Sequence, residues 1–101
     1  MKTLTHTFKG KEIKLFPVSA FADMINRDRQ TIKRWEREGM IPKAPFTKKH
    51  GEKNVRLYPE YFIKAVKNVI KLMKIRKGAT FDKVIVKSKI FREIEKQKEK
   101  L

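Results

Sequence analysis

Apolar residues recur along this chain with two periods, and the points where the period changes mark its elements. Val18, Phe21, Ala22 and Ile25 fall at i, i+3, i+4 and i+7, which predicts a short helix with one apolar face, capped by Ser19 and ending near Ile25. Pro17 is expected to break whatever precedes it. Ile32 and Trp35 predict a second helix of about three turns from Arg29 to Glu38. Asp28 suits its N-cap, Gly39 suits the position past its end, and Pro42 forbids continuation. Asn26, between the two, tolerates the left-handed conformation of a tight turn. Phe62, Val66, Val69, Ile70 and Met73 predict a third helix, opened by Pro59 and Glu60, running to about Lys77 and stopped by Gly78. A last helix is expected from Phe81, capped by Thr80, with Phe81, Val84, Ile85, Phe91 and Ile94 at loosely heptad spacing. The β-prone run Val84-Ile85-Val86 leaves a strand or an irregular piece open there.

Two stretches alternate instead. Residues 5–8 and 12–16 flank Gly10 and read as two short strands with a turn, or else as a frayed arm. Pro42 and Pro45 argue against helix after residue 42, and Gly51 separates a basic segment from the alternating Val55-Arg56-Leu57-Tyr58. That is the pattern of a β-hairpin with a basic tip; a solvated loop is the plainer reading.

Composition then narrows the function. Hydrophobic residues make up 40% of the 101, enough for one modest core. Lys and Arg number 27 against 11 Asp and Glu, a formal charge of +16. Such an excess destabilises the compact state by self-repulsion unless an anionic partner offsets it. Nucleic acid leads as that partner, and an anionic membrane follows. There is no Cys, hence no disulfide, thiolate zinc site or cysteine nucleophile, and no residue to acylate. No apolar run reaches membrane-spanning length, so a cytoplasmic protein without membrane contact is expected. No Gly-rich phosphate loop or metal-ligand cluster appears, so no cofactor, no metal and no catalytic residue is expected. The chain is read as a binding protein and not as an enzyme.

The second helix carries the candidate chemistry. At about 100° per residue, Ile32 and Trp35 lie on one side, and Arg29, Gln30, Lys33, Arg34 and Arg37 share an arc of roughly 140° on another. Arg pairs with guanine edges, Gln with adenine, and Lys and Arg with phosphates, so this strip suits a DNA major groove. A solvated basic face is the bland alternative. Helix, tight turn, basic helix is the layout of a helix-turn-helix, and the basic hairpin after it has the place of a wing.

The residues Thr31-Ile32, Arg34-Trp35-Glu36, Gly39 and Ile41-Pro42, followed by the Gly51 hairpin and by Arg56 and Tyr58, resemble the winged helix-turn-helix of the MerR superfamily. Within it they are most similar to the excisionase-like and phage-type branch. The resemblance implies that the second helix enters the major groove, that the wing touches flanking backbone, and that Arg56 and Tyr58 sit near phosphates at the base of the wing.

The expected fold is therefore mainly α with a small β-hairpin wing: residues 1–16 an arm or short hairpin, 17–78 a winged helix-turn-helix DNA-binding domain, and 79–101 a C-terminal helix. Arg29, Gln30, Lys33 and Arg34 are the expected base readers. Arg27, Arg37, Lys48, Lys49, Lys53, Arg56 and Tyr58 are the expected phosphate contacts. The C-terminal helix is read as a dimerisation helix, a helix folded back on the core, or a partly disordered tail, with dimerisation favoured. The expected partner is double-stranded DNA and the role that of a transcriptional regulator or excisionase-like factor. The alternative is a DNA-packaging or DNA-anchoring protein whose C-terminal helix recruits a protein partner.

Overall fold

The computed structural model describes residues 4–8, 10–75 and 82–100. Their order is β1 (Leu4–Phe8), β2 (Lys11–Pro17), α1 (Val18–Ile25), α2 (Arg29–Arg37), β3 (Phe46–His50), β4 (Lys53–Pro59), α3 (Glu60–Leu72) and α4 (Lys83–Glu99). The strands form one antiparallel sheet in the order β1-β2-β4-β3. The protein is thus mainly helical with a small sheet, a winged helix-turn-helix followed by a C-terminal helix.

Each outer strand joins its neighbour through a tight turn that needs positive φ. Phe8 pairs with Lys11 and His50 with Lys53, and Gly10 and Gly51 take φ of 78° and 64° in the turns. Along β2, Ile13 and Leu15 are buried while Glu12 and Lys14 are exposed, the alternation of a half-buried strand. The two hairpins meet in the middle: Leu15 pairs with Pro59, Phe16 with Tyr58 and Pro17 with Leu57. The first hairpin therefore continues the sheet of the wing. Both inner strands end in proline, which has no N–H to extend a ladder, and each runs straight into a helix. Pro17, not Ser19, takes the N-cap position of α1, and no side chain caps that helix.

Three helices end in the same way. Past α1, Asn26 is left-handed (φ 56°) and Arg27 N–H donates to Ala22 C=O at 2.9 Å. Past α2, Gly39 has φ 77° and Met40 N–H donates to Trp35 C=O at 2.8 Å. Past α3, Lys74 has φ 53° and Ile75 N–H donates to Ile70 C=O at 3.0 Å. Each is a Schellman turn, which satisfies carbonyls the helix leaves open. In α2 and α3 the residue after the left-handed one, Met40 or Ile75, is buried and anchors the turn. That anchor ends α3 at Leu72, earlier than the expected stop near Lys77. Gly78 and the expected cap Thr80 lie outside the described residues.

Phe21, Tyr58 and Phe62 meet at tilted and edge-to-face angles in the core, with ring centroids 4.8 Å apart for Phe21 and Tyr58, 5.9 Å for Phe21 and Phe62 and 5.3 Å for Tyr58 and Phe62. Ile32 and Trp35 enter it from α2, and Ile63, Val66 and Val69 from α3. The last helix folds back on this core and packs along α3. Asp82 caps it, its Oδ1 accepting from Val84 N–H at 3.0 Å and Ile85 N–H at 3.2 Å. Val86, Ile90 and Ile94, spaced by four, are its buried residues. The expected seam of Val84, Ile85, Phe91 and Ile94 is corrected accordingly: Val84, Ile85 and Phe91 face outward, and Phe81 lies outside the described residues. A four-residue repeat buried against one neighbour outweighed the loose heptad. The run Val84-Ile85-Val86 is helical despite its β propensity, because Asp82 nucleates the turn and Val86 is buried in it.

Candidate nucleic-acid interface

The α2 helix is held by its inner face and left free on its outer one. Ile32 and Trp35 are buried, and Arg29, Gln30, Lys33, Arg34 and Arg37 are all exposed. The five expected residues therefore share one solvent-facing surface. Asp28 occupies the N-cap with an extended backbone, but its carboxylate makes no cap bond. The first turn closes instead on the Asp28 carbonyl, which accepts from Thr31 N–H at 3.1 Å and Ile32 N–H at 3.3 Å. No acidic residue stands in that first turn. The leading end of α2 thus combines a positive helix terminus with the Arg29 guanidinium, a favourable place for an anion. Arg34 and Arg37, in the last turn, complement the opposite end of the dipole.

The wing lies beside this surface. A cleft of about 470 Å³ is lined by Pro17 and Val18 where β2 passes into α1, by Lys33 of α2, and by Asn54, Val55 and Arg56 of β4. The strand register divides the wing's cations. Thr47 pairs with Arg56 and Lys49 with Asn54, which puts Lys49, Asn54 and Arg56 on one face. Lys48 and Lys53 project from the other, and all four cations are exposed. Asn54 is a polar residue of the cleft that sequence reasoning passed over, since nothing in the sequence aligns it with Lys33.

A buried carboxylate joins helix and wing. Glu36 follows Trp35 and shares its inner face, with a side chain only 5% exposed. Its Oε2 accepts from the Tyr58 hydroxyl at 2.5 Å, and its Oε1 lies 3.2 Å from Nη1 of Arg56. Burial, then the bond to Glu36, push the Tyr58 hydroxyl well above its ordinary pKa, so it stays a donor at any physiological pH. The Arg56 side chain remains half exposed, one edge on Glu36 and the rest toward solvent. No backbone contact links α2 to the wing strands, so this cluster is a direct side-chain link between them. Glu36 was absent from the expected site, although Ile32, Trp35 and Glu36 at i, i+3 and i+4 already put it on the anchored side.

One expected phosphate contact is corrected, and Arg27 has a structural task besides the expected one. Tyr58 is fully buried with its hydroxyl committed to Glu36, so it supports the wing from within and offers nothing to a phosphate. Arg27 donates to the carbonyls of Asn26 at 3.0 Å and Ile75 at 2.7 Å, fastening the interhelical turn to the end of α3. Its guanidinium stays partly exposed there.

This geometry sets the comparison with known proteins in context. The model of the MerR helix-turn-helix regulatory protein family matches residues 16–86. The chain belongs to the MerR family. The matched span takes in α1, α2, both wing strands, α3 and the start of α4. No curated protein and no solved structure matches the chain. As a MerR-family protein it is a DNA-binding regulator built on a helix-turn-helix. Among the described residues, no helix is long and apolar enough to cross a membrane.

Proposed function

We propose that this MerR-family protein recognises a specific double-stranded DNA sequence and acts as a transcriptional regulator or an excisionase-like factor. In this reading α2 lies in the major groove, where Arg29, Gln30, Lys33 and Arg34 read base edges. Arg37 and the wing hold the flanking backbone, Lys49 and Arg56 from the face beside α2 and Lys48 and Lys53 from the other. The observation that carries the reading is the shared cleft, which sets Lys33 of the helix and Arg56 of the wing on one exposed surface. Glu36 supports it by holding Arg56 in one orientation, so the guanidinium is ordered before it meets a phosphate.

Selection from a random duplex pool, at near-physiological salt and with excess nonspecific competitor, tests this. A recovered motif is the expected result. A palindrome with helical-turn spacing is the signature of two copies, and a single asymmetric motif that of one. Binding without any motif overturns sequence-specific reading, and absence of binding overturns the assignment of this surface to DNA.

A further inference from the structure

The two outer edges of the sheet differ in how they are protected. The strand order β1-β2-β4-β3 puts β3 of the wing at one edge and β1 at the other. An open edge carries unpaired backbone groups that invite another strand, and natural sheets blunt it with lysine, proline or a cover. β3 follows Pro45 and exposes Lys48 and Lys49. β1 reads Leu-Thr-His-Thr-Phe, with no Lys, Arg, Asp, Glu, Pro or Gly. Its Thr5, Thr7 and Phe8 are residue types that favour strands. Among the described residues, β1 meets no element but β2. It also lies outside residues 16–86, the span that matches the family.

The turn between β1 and β2 fixes which groups that edge offers. Phe8 and Lys11 flank a two-residue turn, so they exchange backbone hydrogen bonds with each other. Bonded pairs alternate along an antiparallel ladder, so His6 is bonded to Ile13 and Leu4 to Leu15. The N–H and C=O of Thr5 and Thr7 therefore point away from β2, out of the sheet edge. Both threonines are exposed.

The charge pattern says what fits there. Two copies of a chain with a formal charge of +16 repel each other over most of their surface. Two β1 strands, antiparallel about a twofold axis at His6, set Thr5 opposite Thr7 and Leu4 opposite Phe8, with no like charges opposed. The same arrangement of β3 about its middle residue would set Lys48 against Lys48. The twofold axis also stands perpendicular to the sheet. Arg56 and Tyr58 share one face of β4, and both reach Glu36 of α2. That face of each copy therefore stays on the same side of the joined sheet, and both α2 helices lie on that side.

We propose that a second copy of this chain pairs with the free edge of β1, Thr5 of each copy exchanging backbone hydrogen bonds with Thr7 of the other, to give one continuous sheet. The interface is isologous, the same strand on both sides. Its use, to present two α2 helices to one duplex, rests on the DNA reading; the pairing itself does not.

Sedimentation equilibrium of the full chain without DNA tests the pairing. The wild type is a monomer–dimer mixture whose dimer share grows with protein concentration and with salt, because salt screens the repulsion between copies. Thr5→Lys and Thr7→Lys in one chain oppose lysines across the axis and abolish the dimer. Thr5→Glu and Thr7→Glu in another do the same with carboxylates. An equimolar mixture of the two variants restores a dimer, a result that misfolding of either variant could not give. In the wild-type dimer the amides of Thr5 and Thr7, and not those of α2, exchange hydrogen more slowly than in the monomer. A monomer at every concentration and salt overturns the proposal and leaves the DNA reading intact. A dimer that persists in both charged variants overturns it as well, because another surface then joins the copies. So does a mixture that stays monomeric.

Discussion

The protein has two cationic surfaces, and they are built differently. On α2 and the wing, Arg dominates the helix, a carboxylate 5% exposed stands behind Arg56, and a buried tyrosine stands behind the carboxylate. On α3 and α4 the cations are almost all lysines on exposed stems, and their ion pairs, Lys64 with Glu60 and Lys83 with Glu38, lie at the surface. The first surface holds one of its cations, Arg56, against a buried carboxylate, whereas the second gathers lysines on exposed stems. Ordered guanidinium groups can discriminate between bases, whereas mobile ammonium groups sense little beyond charge density.

The largest expected effect tests whether the second surface is packed on the common core. Ile90 is fully buried in α4. Ile90→Ala should cost roughly 2–5 kcal/mol in urea unfolding. The loss should be the same at different protein concentrations, because the contact is intramolecular. A midpoint that rises with concentration would instead make α4 an interface between copies.

Next comes the carboxylate itself. Glu36→Ala leaves the buried Tyr58 hydroxyl without its partner and should lower stability by about 1–3 kcal/mol. Lys67→Ala, on the other surface, should change it by less than about 0.5 kcal/mol. Equal effects in denaturant titrations would erase the contrast between the two surfaces.

Binding measurements sharpen it within the first surface. Arg34→Ala should cost about 1–3 kcal/mol and relax preference at one base position. Lys53→Ala should weaken all sequences alike and reduce the salt slope by about 1. Identical profiles across a panel of duplexes would contradict this division between reading and holding.

The smallest effect is at alkaline pH. The Tyr58 hydroxyl has a raised pKa in the folded protein, first through burial and then through Glu36. The folded state therefore keeps a proton that the unfolded chain gives up near its ordinary value of 10.0. The stability this confers is complete below that value and is lost as pH rises toward the folded one. Tyr58→Phe should flatten the fall in stability above about pH 10. An unchanged slope would mean that other groups control the alkaline limb.

Much of the architecture was legible in the sequence because it is set by short-range rules. Asn26, Gly39 and Gly51 were each expected at a turn and each has positive φ there. The period of Phe21, Ala22 and Ile25 marked the buried face of α1, and Ile32 with Trp35 that of α2. The candidate surface was half legible. Helical period alone separates the exposed strip of α2 from its anchor. The role of Tyr58 was misread and the structural bond of Arg27 missed, because an aromatic hydroxyl and a guanidinium look equally available in any sequence. Their partners, Glu36 and the carbonyl of Ile75, lie 22 and 48 residues away.

By itself, the sequence determined the helices, the turns between them, the wing and the excess of positive charge, since each follows from neighbours a few residues apart or from composition. Only the tertiary structure decided three things. It joined the first hairpin to the wing through pairs such as Phe16 with Tyr58. It chose Val86, Ile90 and Ile94 over the loose heptad as the packed face of α4. And it drew Glu36, Tyr58 and Arg56 into one cluster linking helix to wing. Each of these depends on which distant surface a residue meets, and that contact forms only when the shared core brings the elements together.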